Sequence, residues 1–481
     1  MAGLSFWYIN NKLAAEGTTV ATQNLILDFL NNAPNAGAIA GYEPSEGPVI
    51  DDPLEGYGDQ IRDYDIGHDV AQRIINKRNS LGGFTSLTQL SGISYFGQDK
   101  FNDLLHSFVK TIYEVRAIQF NYHSGSISND ALNIRKNFAT TAPSPSWFKG
   151  VSSTYSDSPA AYSIKETQGN SIAIRVSLRA NGISAAYVRA LGGERLGRVK
   201  EKLVSFSSTG YSGYESFELD NTTFHSYGVN AYNIAWRWQW RLNASDPWRD
   251  IVVTRHRIYI LLETSTLPWD QTSGSTSLPW TDALEIACDW ASGATDRTAA
   301  ATQITESYNG CGRVSYDTVS GATMYGWSSY SLTSMIDRLN GGPGLGEKVN
   351  CTDSANTVST FANLIGCDLW QSRMGWSFDL NPIIAIGYSV WAIPFSGGFS
   401  YHEVAWLSAC TENDNIFDGC LHVDGDADPT STPHTPLLPV NMRFGNCTTM
   451  EYRLRLCPPT TTGCDRCIPR PDTERQRRPI S

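Results

Sequence analysis

No cysteine occurs before residue 288, so the first 287 residues fold without a disulfide or a thiolate-held metal. No stretch approaches the ~20 consecutive apolar residues of a membrane helix. The nearest, Pro382 to Phe395, is interrupted by Gly387 and Pro394 and reads as a buried strand. The opening MAGLSFWYINNKLAAEG lacks a basic start followed by a long apolar run. The expectation is therefore cytoplasmic synthesis without a signal peptide, with signal-independent export left open. A basic excess is also missing: 48 acids against 37 bases give a net charge of −11, which argues against nucleic-acid phosphate binding as the main task. The glycine-rich GGPGLGE at 341–347 is not followed by the Lys-Ser/Thr of a phosphate loop. It reads as a flexible loop ahead of Cys351 that admits substrate or moves as a lid. No internal repeat is present.

What is there is a globular composition, 41% hydrophobic, 18% charged and 11% aromatic, with 14 Trp and 22 Tyr. At 481 residues the chain exceeds one ordinary core, and two to four domains are expected. The fold class is multidomain α+β. Residues 1–60 hold a helix around Thr19 to Leu30 and a linker rich in Gly, Pro and acid over 33–60. Residues 61–112 form a helical module in which Ile66, Val70, Ile74 and Ile75 make one apolar stripe. Residues 113–266 alternate apolar and polar in SIAIRVSLRA, NIAWRWQWRL and RHRIYILLET, as strands of an antiparallel β-sandwich do. There Trp236, Trp238 and Trp240 share one face, read as core, with Arg237, Gln239 and Arg241 opposite. Residues 267–467 return to helices, with Pro279, Thr281 and Thr295 as start signals, and then to strands. Residues 468–481 carry a net +2, have no apolar periodicity, and are expected to be a disordered tail.

In the 61–110 segment, AQRII, GGF, SLTQL and FG resemble a helix-hairpin-helix domain. The first hairpin retains only Gly67, and Ser94-Tyr95-Phe96-Gly97 replaces a second glycine pair. Residues 51–110 hold nine acids and six bases, a net −3. Protein docking fits this module better than nucleic acid does.

The sharpest chemical signal is an ordered triplet, Cys351, His402 and Asp418, 51 and 16 residues apart. Cys351 precedes a helical pattern in which Ala355, Val358, Ala362 and Ile365 share a face and Gly366 stops the helix. A thiol there meets unpaired N–H groups and the positive end of the helix dipole, which favour the thiolate. His402 in FSYHEVAWL and Asp418 in NIFDGC each sit in a strand-like run. This is the nucleophile, base and orienter set of acyl-transfer enzymes.

Over about 275–445, the order of CTDSANTVSTFANLIG, HEVAW and NIFDGC resembles the transglutaminase-like superfamily, whose catalytic domain is papain-like. The resemblance implies that Cys351 attacks an amide carbonyl, His402 moves the proton and Asp418 orients the imidazole. One oxyanion donor would be the backbone N–H of Cys351, with Trp327 or Tyr325 as candidates for the second. The expected activity is cysteine-dependent acyl transfer on protein or peptide amides: a peptidase, amidase or deamidase first, protein cross-linking second. Other classes left open are a non-catalytic assembly protein and an effector delivered by a signal-independent machine. No cofactor or metal is expected at the triplet. Asp424, Asp426 and Asp428 in VDGDADP compete with Asp418 and offer oxygens to a Ca²⁺. The remaining cysteines leave disulfides, a zinc site at Cys464-Asp465-Arg466-Cys467 and free thiols all open.

Overall fold

A computed structural model describes residues 4–16, 18–36, 39, 66–106, 108, 111–120, 130–141, 145–167, 172–207, 209–221 and 224–481. The architecture is α+β, with several antiparallel sheets and three large hydrophobic cores among the described residues.

The first core is helical. Helix α1 (Phe6–Ala15) starts at Ser5, whose hydroxyl accepts the Tyr8 N–H, and α2 (Val20–Asn32) starts at Thr19, which accepts from Thr22. Helix α3 (His68–Leu81) buries Val70, Ala71, Ile74 and Ile75 and ends at Gly82 in the left-handed region (φ +71°). A short turn (Leu87–Leu90) and α4 (Gln98–His106) complete the module. Ile9, Leu13, Ile26 and Leu30 lie in the same core as Ile74, Leu90 and Phe96. The first two helices thus pack onto the module rather than standing apart from it. Arg78 of α3 fixes this junction by donating to the Ala33 carbonyl at 2.7 Å. The stretch read as a linker falls, except for 33–36 and 39, outside the described residues.

The second core lies between two sheets. Strands β1 (Thr111–Gln119), β2 (Ser146–Phe148), β4 (Ala173–Asn181) and β7 (Tyr211–Glu218) pair antiparallel in the order β2-β1-β4-β7. The second sheet runs β3 (Pro159–Ser163), β9 (Arg249–Leu261), β8 (Asn230–Arg241), β5 (Ala185–Gly192) and β6 (Val199–Ser205), with β3 parallel to β9. Trp236, Trp238 and Trp240 are all buried between the sheets. Their indole N–H groups must find acceptors there: Trp236 donates to the Gly197 carbonyl and Trp238 to Thr254 Oγ1, each at 3.0 Å.

The third core holds helices α5 (Thr281–Trp290), α6 (Arg297–Gly310), α7 (Leu332–Leu339) and α8 (Cys351–Leu364). Asp296, not Thr295, caps α6, accepting the Ala299 N–H at 2.9 Å. Strands β12 (Trp370–Met374), β16 (His402–Trp406), β17 (Asn415–Phe417) and β20 (Val440–Arg443) form an antiparallel sheet in that order. Shorter pairings surround it. They are β10 (Ser315–Tyr316) with β11 (Lys348–Val349), β13 (Phe378–Asp379) with β15 (Gly398–Phe399), and the set β14 (Ile384–Ala385), β18 (Leu421–Asp424) and β19 (Pro436–Leu437).

Helix α8 is buried along its whole length, not on one apolar face. Most of its polar side chains are bonded, the Thr360 hydroxyl being an exception among the described residues. Thr357 and Ser359 hydroxyls donate to the carbonyls of Asp353 and Ala355, and Asn363 bridges the Leu267 and Leu369 carbonyls. Gly366 does end the helix region, with φ +93°, where a Cβ would meet Glu263 Cβ at 2.7 Å.

The expected disordered tail is instead packed. Arg478 is 1% exposed, and Ile480 pairs with Tyr330. Arg475 and Arg477 stack on Trp370 at 3.6 and 3.8 Å, and Arg477 also donates to the Leu369 carbonyl. The segment is held by guanidinium groups, so it has no apolar periodicity to read. Cys447 and Cys464 form a disulfide, which removes Cys464 from any zinc pair with Cys467. Among the described residues no helix is long and apolar enough to cross a membrane.

Candidate active site

Asn350 caps α8. Its side chain accepts the Asp353 N–H at 3.0 Å, and Asp353 accepts the Asn350 N–H at 3.2 Å. This reciprocal cap makes Cys351 the first helical residue, where backbone N–H groups lack helical acceptors. Buried Asp353 also accepts from Met324 and Tyr325, and burial nevertheless raises its carboxyl to about 6.

His402 opens β16. The β16–β17 register pairs Ala405 with Phe417 and Trp406 with Ile416. Continued one step, it sets Asp418 opposite Val404, and His402 is the diagonal neighbour on that face. His402 Nε2 lies 2.9 Å from Asp418 Oδ2, with both side chains buried. Tyr452 donates its hydroxyl to the same oxygen at 2.7 Å, and the Cys420 N–H donates to Oδ1 at 3.0 Å.

Burial opposes charge on the imidazole, but the facing Asp418 outweighs it and holds His402 well above its ordinary range. Burial likewise opposes charge on Asp418, and His402 with the hydrogen-bond donors keeps it below the ordinary carboxylate range. With Nε2 committed to Asp418, Nδ1 has no hydrogen-bond partner of good geometry, and the thiols of Cys351 and Cys420 both act on the ring. Phe399 stacks on the imidazole at 4.8 Å and 9°.

Several participants carried no sequence signal. Tyr316, on β10, approaches the Cys351 sulfur, and burial and then that thiol raise its hydroxyl well above the ordinary value. Cys420 sits two residues after Asp418, its thiol pushed up by burial and by that carboxylate. Glu403 is buried beside His402 and accepts from Thr352, Arg373 and Arg478. The Asn350–Asp353 cap, by contrast, was readable as N-x-x-D.

Of the two oxyanion candidates, Tyr325 is engaged elsewhere, donating its hydroxyl to the Gly346 carbonyl at 2.5 Å. Trp327 stands half exposed, edge-on to Tyr401 at 6.0 Å. The 341–347 loop does not line the cleft at Cys351; it folds against α7, where the Gly344 N–H donates to Asp337 at 2.8 Å.

The ligand atoms of His402, Asp418 and Cys420 fall within 4.8 Å of one another, a metal-compatible spacing. Both carboxylate oxygens are already taken by three donors, so this geometry is a hydrogen-bonded dyad rather than an open ligand set. The VDGDADP aspartates cap their own turn. Asp424 binds His434 Nδ1 at 2.5 Å and accepts from Asp426 and Thr435, Asp426 accepts from Asp428, and Asp428 accepts from Thr430. Asp424 therefore faces His434, not His402.

A cleft of about 410 Å³ opens at Cys351, lined in part by Tyr316, Asn350, Phe378, Phe395, Phe399 and Tyr401.

No protein-family model matches the chain, and no curated protein matches it in sequence. Among solved structures, the crystal structure of a transglutaminase from red sea bream is similar to part of it. The TM-score is 0.31 and the identity 10%, over 57% of this chain and 51% of that one. The chain thus spans about half the length of that structure. A likeness of this size bears on neither activity nor substrate.

Proposed function

We propose that the chain is a cysteine-dependent acyl-transfer enzyme acting on protein or peptide amides, with Cys351 as nucleophile, His402 as general base and acid, and Asp418 as orienter. The observation that carries this reading is the buried His402–Asp418 pair at 2.9 Å, acting on a helix-first cysteine that lines a cleft.

The thiol proton already resides on His402, whose charge Asp418 supports, and the Cys351 sulfur bonds to the amide carbon as the thiolate. Asp418 stabilises the imidazolium formed and keeps the other ring nitrogen directed at the sulfur. Tyr452 and the Cys420 N–H hold Asp418 in place. The Cys351 N–H and the Tyr316 hydroxyl serve as donors to the developing oxyanion. His402 then gives its proton to the leaving amine or ammonia. Water resolves the thioester by hydrolysis, and a primary amine resolves it by cross-linking.

The test is a glutamine-containing peptide incubated with and without a dansylated primary amine. Ammonia release together with peptide deamidation supports hydrolysis, and dye incorporation supports cross-linking. Loss of both in Cys351→Ser and His402→Ala assigns the chemistry. Activity retained in Cys351→Ser defeats the proposal.

A further inference from the structure

The cleft beside Cys351 is lined by two unlike sets of residues. One is an aromatic box. Tyr316 and Phe395 meet at 5.2 Å between ring centres, Phe395 and Phe399 at 4.8 Å, and Phe378 and Phe399 at 6.0 Å. Phe399 also carries the His402 ring on its face, so the box adjoins the reacting atoms. The other is a strip of small residues, Ser377, Ser396, Gly397, Gly398 and Ser400. Gly398 is fixed by strand pairing with Asp379, since a Cβ there would lie 1.9 Å from the Phe378 carbonyl oxygen, whereas one on Gly397 would meet nothing within 4 Å. Among the described residues, the only charged one lining the cleft is Asp379. Apolar side chains continue outside it: Trp376 and Val319, each next to a lining residue, are 47% and 97% exposed.

We infer that this cleft binds the acyl donor as a peptide that places an aromatic or large aliphatic side chain in the Tyr316–Phe378–Phe395–Phe399 box, directly beside the reactive carboxamide. This rests on the acyl-transfer reading and names its substrate class. The strip's two glycines let a peptide main chain approach closely, and its small serine side chains add hydroxyls that can bond to that main chain. Of the box, Tyr316, Phe378 and Phe399 are buried and Phe395 is half-buried, so the reward for apolar area removed from water falls mainly on the Phe395 ring. A lone carboxylate with no lining cation disfavours acidic neighbours. The volume lies within the ~300–1,000 Å³ of built ligand sites. An acyl chain would use the box but leave the serine strip unmatched.

Binding is read separately from turnover on Cys351→Ser, using fluorescein-labelled peptides that carry Phe, Ser or Glu next to a glutamine. The Phe peptide is expected to bind about ten-fold tighter than the Ser peptide, with the Glu peptide weakest. Phe395→Ser is expected to bring the Phe and Ser peptides within about two-fold of each other. Ser396→Trp, which fills the cleft without removing core packing, is expected to abolish binding of both should the first variant misfold. Equal binding of the three peptides, or tighter binding of a dodecanoyl-glycine probe than of the Phe peptide, overturns the inference. Apolar preference with no ammonia release or amine incorporation by wild type would leave the cleft assignment standing and remove the enzyme. Turnover indifferent to the neighbouring residue would do the reverse.

Discussion

Thr352, the residue after Cys351, donates its hydroxyl to Oε2 of Glu403, the residue after His402, at 2.7 Å. One bond thus joins the helix of the nucleophile to the strand of the base, on the side of β16 away from the imidazole. Glu403 is in turn gripped by Arg478 at 2.6 and 3.0 Å and by Arg373 at 3.3 Å. Arg478 adds bonds to Asn356, Gln371 and the Trp327 carbonyl. The C-terminal segment is therefore a buried pin beneath the candidate site.

Removing one partner of that network leaves an uncompensated buried charge. Arg478→Ala leaves buried Glu403 with the Arg373 cation alone, and Glu403→Gln takes the carboxylate partner from buried Arg478, so each is expected to lower the unfolding free energy by ~3–5 kcal/mol. Urea unfolding followed by tryptophan fluorescence checks this. A change under about 1 kcal/mol for Arg478→Ala would mean the pin is not formed in solution.

Cys351 is expected to be alkylated first among the native thiols at pH 6.5. Its competitors are held back: burial pushes Cys288, Cys311, Cys367, Cys420 and Cys457 up, and Cys410 up to about 12, and Cys467 is buried. Cys351 instead lines a cleft and has the charged His402 imidazole to pair with its thiolate. Limited iodoacetamide labelling with peptide mapping reads the order. His402→Ala should slow labelling of Cys351 while leaving the other thiols alone. First modification elsewhere in the folded protein counts against the nucleophile assignment.

What could be read from sequence was what local periodicity encodes. Trp236, Trp238 and Trp240 alternate with polar residues, and a period of two places them all on one face. Helix α8 was legible because Ala355, Val358, Ala362 and Ile365 recur at helical spacing and Gly366 follows them, while the local Asn350–Asp353 cap that starts it went unread. Helix α1 was missed because only Ile9 and Leu13 of FWYINNKLAA are buried, while Phe6 and Trp7 are exposed. The packed C-terminal segment was missed for a different reason. Its anchors are arginines meeting Glu403 and Trp370 at separations of 75 and about 100 residues, and no pattern within the segment reports on them. Tyr316 reaches the site through the same kind of long-range contact, whereas Cys420 is local to Asp418, two residues before it.

The N-terminal module is expected not to bind duplex DNA. Its net charge of −3 over residues 51–110 offers no counterion-release term. One of its arginines, Arg78, is engaged with the carbonyls of Leu30, Asn31 and Ala33. Fluorescence anisotropy with a short labelled duplex at ~100 mM salt tests this. Micromolar binding that weakens steeply with added salt would reverse it.

The β-sandwich is expected to lose stability in mild acid through one histidine. His256 is buried between Trp236 and Phe120, and burial takes it from 6.5 down to about 3. Its Nε2 lies 2.9 Å from Thr254 Oγ1, which also accepts the Trp238 N–H, so the hydroxyl proton is free to donate to Nε2. Nδ1 then has no partner and nothing to stabilise a charge. The folded value lies below the unfolded one, so this contribution is fully present above pH 6.5. It is lost as pH falls toward 3, at a slope approaching ~1.4 kcal/mol per pH unit for one proton. Carboxylates that protonate in the same range add their own acid loss, so the diagnostic is a difference. His256→Phe should unfold with a shallower dependence between pH 6.5 and 4.5 than wild type, measured by urea titration at several pH values. Parallel curves would show that His256 carries its proton in the folded state after all.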